Sequence, residues 1–353
     1  MFSPPLISSP KTLVLLGEAP GAEEEVANAP FVGSSGRLLR NKLMPDANLD
    51  ADHWYILNVF TDRPPDNDLR AWTVNKTEAK RMGLDWRNLG APLQKRYLLP
   101  QYRDQVALCR SRLEALNPDL IVGLGATALW FLTGESAITS FRGTFFPSPF
   151  GGDAICTFHP ASILYQWPNY PIAWADLTKV RDYLTGSLPP PAKRVFYVNP
   201  SFNEISYVYH CLLSTPSVAV GVDLETAPSI AQITTCSFST PNLGICIPIW
   251  DRYATADPNY WSVADEVMAW RWIDKFAQLP NPKVLQNGLY DTQYLLAAPI
   301  PIRLRNYGDD TSILQHSLQP ELLKDLGTLA SLYLNEPAWK FMRKSAKDAK
   351  VDE

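Results

Sequence analysis

The chain has 353 residues, 46% of them apolar and 19% charged, which is more than one compact core usually holds and too apolar for a disordered tail. A formal net charge of −4 gives no global basic field, so contacts with nucleic acid have to come from local patches. The five cysteines (Cys109, Cys156, Cys211, Cys236, Cys246) include no CxxC pair, which argues against a disulfide framework and a zinc ribbon.

Residues 12–16 read as a buried strand ending at Gly17. Residues 36–44 follow as a helix and 54–60 as a second strand. Residues 71–99, rich in Arg, Lys and Trp, look like an insertion; a solvated surface loop is the preferred reading over a phosphate-touching one. Tyr102, Val106, Cys109, Leu113 and Leu116 mark one face of a helix. A strand over 120–124, a helix over 126–132 and a strand over 154–158 complete an alternating pattern, which implies a parallel sheet with helices on both faces. Residues 186–194 contain a Pro triplet that continues neither helix nor central strand and read as a linker. The expected division is therefore 1–185, the linker 186–194, and 195–353. No apolar run approaches the roughly 18 residues of a membrane span. The N-terminus, with Lys11 and no small-residue cleavage site, does not read as a signal peptide, so a cytoplasmic setting is expected.

In a parallel sheet, function collects at the loops leaving the carboxyl ends of the strands. Three such ends hold chemistry: GEAPGAEEE with PFVGSSG after the first strand, Asn58 at the end of the second, and FHPAS after the strand over 154–158. Taken singly, Phe31 reads as a core ring, Asn58 as a turn cap and His159-Pro160 as a strand terminator. Their coincidence at three strand ends favours a pocket.

Those motifs, in that order, resemble the uracil-DNA glycosylase superfamily, most closely its iron–sulfur branch, over roughly residues 11–183. The resemblance implies a three-layer α/β/α domain that removes uracil from DNA after flipping the base out of the stack. It assigns Phe31 to stacking on the base, Asn58 to reading its edge, and Gly17 and Glu18 to positions beside it. It assigns His159 to stabilising charge on the leaving base and Glu24 to the water or the cationic sugar. Glu24, His159 and Glu18 are thus the expected catalytic residues, with Glu23 and Glu25 as solvated neighbours. The branch holds its cluster with four cysteines, two near the N-terminus; here Thr61-Asp62 stands where the third is expected and only Cys109 remains in that region. No iron–sulfur cluster is expected, and Cys109 is assigned to core packing.

In the second half, Asp223 and Glu225 lie two apart in VGVDLET and share one face of a strand. Two like charges there are costly unless a cation sits between them, the competing reading being an exposed polar face. Asn287 and Asp291 lie four apart, on one helix face if a helix begins near 287. VGVDLET and LQNGLYD together resemble the 3′–5′ exonuclease domain of family A DNA polymerases in phage-like form, which implies a mixed-sheet, ribonuclease H-like α/β fold. The resemblance makes Asp223, Glu225 and Asp291 the ligands of Mg²⁺ or Mn²⁺ in two-metal hydrolysis. The last motif departs from the pattern: Lys344 stands where a Tyr belongs, and Asp348 is either a fourth acid or part of a charged tail without a role, with truncation at that end left open.

The expected function is uracil excision by an enzyme with an attached exonuclease-like module. Its expected partners are uracil-containing DNA, a single-stranded 3′ end and replication proteins, without a membrane. Two rivals stand beside it: an exonuclease with a relic glycosylase half, and a non-catalytic DNA-binding front end of a phage-type polymerase.

Overall fold

The structure is a computed structural model that describes residues 11–50, 52–190, 192–227, 231–251 and 258–336. The expectations placed on Lys344 and Asp348 lie outside the described residues. The chain forms two compact units, one taking the residues up to Pro190 and those from Gly327 on, the other Pro191–Leu326. This differs from the expected second domain of residues 195–353. The segment from Gly327 groups with the first unit, where buried Arg142 and Lys179 hydrogen-bond to it.

The first unit contains β1 (Leu13–Gly17), β2 (Tyr55–Asn58), β3 (Thr73–Val74), β4 (Tyr97–Leu98), β5 (Leu120–Leu124), β6 (Phe145–Pro147) and β7 (Asp153–Thr157). Its main sheet has the order β2-β1-β5-β7-β6; the first four strands are parallel and β6 is an antiparallel edge. β5 is apolar and buried along its whole length, as a parallel strand covered on both faces must be. Alternation sorts the side chains. Val14, Leu16, Ile121, Ala154 and Cys156 pack with Leu113 of the helix Arg103–Leu116 and Leu129 of the helix Ala126–Thr133. Cys109 lies in the same core. The intervening Leu15, Val122 and Ile155 are also buried, and the helix Tyr170–Leu184 packs against β7.

The expected helix over 36–44 is longer, running through Ser34–Leu38, a wider turn at Leu39–Leu43, and Met44–Asp46. Residues 71–99 are not a solvated loop. β3 pairs with β4, Asn75 and Glu78 cap the helix Lys76–Arg81 reciprocally, and Val74, Ala79, Leu89, Tyr97 and Leu99 form a small core of their own. Its basic residues are partly used internally: Lys76 sits 3.9 Å over the Trp86 ring, and Arg96 donates to Glu78 at 2.7 Å.

The second unit holds β8 (Val195–Val198), β9 (Val220–Ala227), β10 (Gln232–Ser239), β11 (Leu243–Pro248), β12 (Lys283–Leu285) and β13 (Tyr307–Asp310). The sheet order is β13-β12-β9-β10-β11-β8, antiparallel at β9/β10 and β10/β11 and parallel elsewhere, so it is mixed as expected. Val220, Val222 and Leu224 of β9 point into a core shared with the helices Phe202–Leu213 and Val263–Ala277. Asp223 and Glu225 point to the exposed face of that strand.

Candidate active site

The parallel strands of the first unit end side by side. Gly17 is paired with Asn58 across β1 and β2, and Leu124 with Thr157 across β5 and β7. The backbone that leaves these ends encloses a cavity of about 590 Å³ bordered by Glu18, Glu24, Phe31, Asn58 and His159. Five residues expected at the site are thus brought together from three strand ends. Gly17 lies buried beneath them, next to Asn58 and Phe31.

Phe31 is buried and adopts a left-handed backbone conformation, with φ of 56°. A bulky residue is rarely held there unless its surroundings dictate it. Gly36 is part of that enforcement: a Cβ at position 36 would lie 2.1 Å from the Phe31 carbonyl, so only glycine lets the next helix come this close. Arg40 Nε donates to the Phe31 carbonyl at 3.3 Å from the other side.

The three consecutive glutamates separate by role. Glu23 pairs with Arg37 at 2.8 Å and Glu25 with Arg63 at 3.4 Å, both largely in solvent. Glu24 turns inward, where its Oε1 accepts the Gly33 N–H at 2.9 Å.

His159 caps the short helix Pro160–Tyr165, its Nδ1 accepting the Ala161 N–H at 3.2 Å. A ring that accepts at Nδ1 carries its proton on Nε2 when neutral. Burial holds it neutral, pushing its pKa from 6.5 down to about 4 against the opposing pull of Glu24. The Phe31 and His159 rings lie 6.4 Å apart and tilted by 30°.

Burial raises the pKa of Glu18, with Asp68 adding to the shift, while the Thr127 hydroxyl donates to Glu18 Oε2 and opposes it. Thr127 was missed from the sequence. It follows the turn leaving β5, a strand end that the same rule marks for attention. Asn67, Leu164 and Tyr165 border the cavity without having been singled out.

The first unit does not fit a four-thiolate cluster. Its only cysteines are Cys109 and Cys156; both are buried and free, and burial raises both thiols, Cys109 to about 12. At the position where a third cluster cysteine is expected, the Gln105 side chain instead accepts the backbone N–H groups of Thr61 and Asp62, each at 3.0 Å.

In the second unit Asp223 and Glu225 share the exposed face of β9. Asp291, in the helix Gly288–Ala297, is 4% exposed; its Oδ1 accepts the Leu224 N–H at 3.0 Å. Asn287 is not on that helix's face but precedes it, in a left-handed conformation. Burial raises the Asp291 carboxyl, and Asp310 and Glu225 add to this. Burial also acts to raise Asp310, but hydrogen bonds from Ser312, Gly288 and Asn287 outweigh it and bring this carboxyl down to about 2. Among the described residues no three His, Cys, Asp or Glu side chains gather as a metal site.

Comparison with known proteins adds independent information. The uracil DNA glycosylase superfamily matches residues 4–179. The Type-4 uracil-DNA glycosylase of Thermotoga maritima is 33% identical over 176 residues, covering 49% of this chain and 77% of that protein. That of Archaeoglobus fulgidus is 29% identical over 162 residues, covering 44% and 67%. Among solved structures, the Nibbler EXO domain of Aedes aegypti is 12% identical, with a TM-score of 0.32 over 44% of this chain and 74% of that one. The EXD2 exonuclease domain soaked in Mg and GMP is 17% identical, with a TM-score of 0.26 over 46% and 85%. At such TM-scores the second unit is read from its own residues alone. The strand-end motifs, the cavity they enclose and the relatedness to Type-4 enzymes agree: this chain belongs to the uracil-DNA glycosylase superfamily.

Proposed function

We propose that the first unit excises uracil from DNA by hydrolysing the N-glycosidic bond of a flipped base. The observation that carries this reading is the meeting of Phe31, Asn58 and His159 around one cavity. A base extruded from the stack gives up stacking energy, and the Phe31 ring returns part of it. The Asn58 amide accepts from uracil N3–H and donates to O4. Cytosine reverses both partners and meets like with like, leaving buried polar groups unmatched.

As the bond breaks, negative charge grows on uracil O2 and positive charge on the sugar. Neutral His159, with its proton on Nε2, donates to O2 where that charge develops. Glu24, anchored by the Gly33 N–H, provides the carboxylate that orients water or faces the cationic sugar. Glu18 borders the base where thymine's methyl would have to fit. No metal enters this chemistry, so excision proceeds in EDTA.

For the second unit, VGVDLET and LQNGLYD support an exonuclease-like module of the phage family A polymerase type. Asp291 is buried and already accepts the Leu224 N–H, and among the described residues no three such side chains gather; this favours a non-catalytic, DNA-engaging role over hydrolysis. Among the described residues no helix is long and apolar enough to cross a membrane. The proposed setting is DNA repair or replication in the cytoplasm of a bacterial or phage-infected cell. The reading is tested by incubating the protein with a uracil-containing oligonucleotide in EDTA and cleaving abasic sites with alkali. Strand breaks at the uracil support it, and intact strands at stoichiometric protein refute it.

A further inference from the structure

The first unit is interrupted in sequence: Pro191–Leu326 forms the second unit, and the chain then returns to the first. The returning helix Leu326–Tyr333 brings Ser331 onto a buried polar network. Arg142, 2% exposed, donates to Asp176 Oδ1 at 2.6 Å and to Ser331 Oγ at 2.7 Å. The Ser331 hydroxyl in turn donates to the Thr328 carbonyl at 2.8 Å. Asp176 uses its other oxygen to accept the Thr157 hydroxyl at 2.7 Å. Beside them the Lys179 ammonium donates to the carbonyls of Gly143, Ser331 and Leu334.

Two features make this more than an interior polar cluster. First, it holds two cations against one carboxylate, and a buried cation is costly unless its donors are matched. The returning segment supplies the hydroxyl for Arg142 and two of the three carbonyls for Lys179, so the network is complete only with it. Second, the network ends on the catalytic strand. Thr157 is the last residue of β7, and His159 is two positions further on. Phe158, between them, has its ring 5.6 Å from the Arg142 guanidinium carbon. Gly143 leaves the cluster no slack, because a Cβ there would lie 2.3 Å from Asp176 Oδ1.

We infer that residues 327–336 are a positioning element of the glycosylase unit: Ser331, acting through Arg142 and Asp176, fixes the Thr157 end of β7 and so aims His159 into the base cavity. The second unit is accordingly an insertion within the first, not an appendage to it. The inference rests on the excision reading, because the network touches no base; it acts through the aim of one imidazole. A small misplacement of a catalytic group costs rate without costing binding.

The test uses the full chain and single-turnover excision of uracil from an oligonucleotide, read as the maximal rate and the half-saturating protein concentration, well below each variant's unfolding midpoint. Ser331→Ala is expected to lower the maximal rate about tenfold and leave half-saturation unchanged. Thr157→Val, at the other end of the same path, is expected to do likewise. The double variant should cost no more than the worse single one, since both break one chain of contacts. Ser317→Ala, outside that element, removes only an exposed bond to the Ile313 carbonyl and serves as the control at wild-type rate. A wild-type maximal rate for Ser331→Ala, or losses that multiply in the double variant, would overturn the positioning role. Failure of the wild-type chain to excise uracil would instead overturn the excision reading itself. The insertion has a readout without activity: after cleavage at a protease site placed in residues 186–190, the two fragments should stay together on a sizing column. Their separation would overturn it.

Discussion

Asn58 Oδ1 occupies the space in which any residue but glycine at position 17 would carry its Cβ; the two points are 2.3 Å apart, and Phe31 Cζ is 2.8 Å from the same point. The missing side chain at the end of β1 lets the amide and the ring share one wall of the cavity. Gly17→Ala should displace both while leaving the sheet intact, because residue 17 is already extended. The expected outcome is a loss of about 10²-fold in the single-turnover rate with retained circular dichroism. A rate within twofold of wild type would show that the wall is not needed.

Replacing Asn58 tests base reading directly. Asn58→Ala removes both hydrogen bonds proposed to the uracil edge and is expected to cost about 10²–10³-fold in excision. Substrate competition with an otherwise identical cytosine-containing strand should show the preference for uracil collapsing along with the rate.

The proposed catalytic residue His159 also links stability to pH. Its folded pKa of about 4 lies below the ordinary 6.5. Between those values the unfolded chain takes up a proton that the folded chain excludes. Stability is therefore whole above pH 6.5 and is lost as pH falls from 6.5 to 4, by at most about 3 kcal/mol. Urea midpoints for the wild type and His159→Gln should converge or cross as pH falls over that window, since the variant lacks this titration. The donor role is served by the neutral ring, so His159 itself should impose no loss of excision between pH 8 and pH 5.5. His159→Gln should lower the rate about 10²-fold throughout.

How much of this was legible in the sequence follows from where the signals are local. Strand ends show themselves as apolar runs closed by Gly17, Asn58 and Phe158, and the parallel topology carries those ends to one edge of the sheet. The inward turn of Glu24 between two outward neighbours was not legible from EEE; it depends on the Gly33 N–H, nine residues away. Thr127 escaped notice because a single threonine after a strand carries no pattern of its own. Residues 71–99 looked like a loop because their apolar residues, Val74, Ala79, Leu89, Tyr97 and Leu99, are too sparse to show a period, although they meet in space. The return of residues 327–336 to the first unit was hidden for a plainer reason: Arg142 and Ser331 are 189 positions apart.

In the second unit, Asp291 has a structural task that can be measured. Asp291→Ala leaves the buried Leu224 N–H without its acceptor and should destabilise this unit by about 1–3 kcal/mol in urea unfolding. Asp291→Asn keeps an acceptor oxygen and should cost less. Adding Mg²⁺ should produce no shortening of a single-stranded oligonucleotide from its 3′ end; a Mg²⁺-dependent ladder abolished by Asp223→Ala would contradict the non-catalytic reading.

The central claim is that Phe31, Asn58 and His159 grip one flipped uracil. The most direct measurement is single-turnover cleavage of a uracil-containing oligonucleotide in EDTA, developed with alkali, for the wild type and for His159→Gln combined with Asn58→Ala. The account predicts strand breaks confined to the uracil position with the wild type and none above background with the double variant. Intact strands with the wild type, or equal breakage by both proteins, would contradict it.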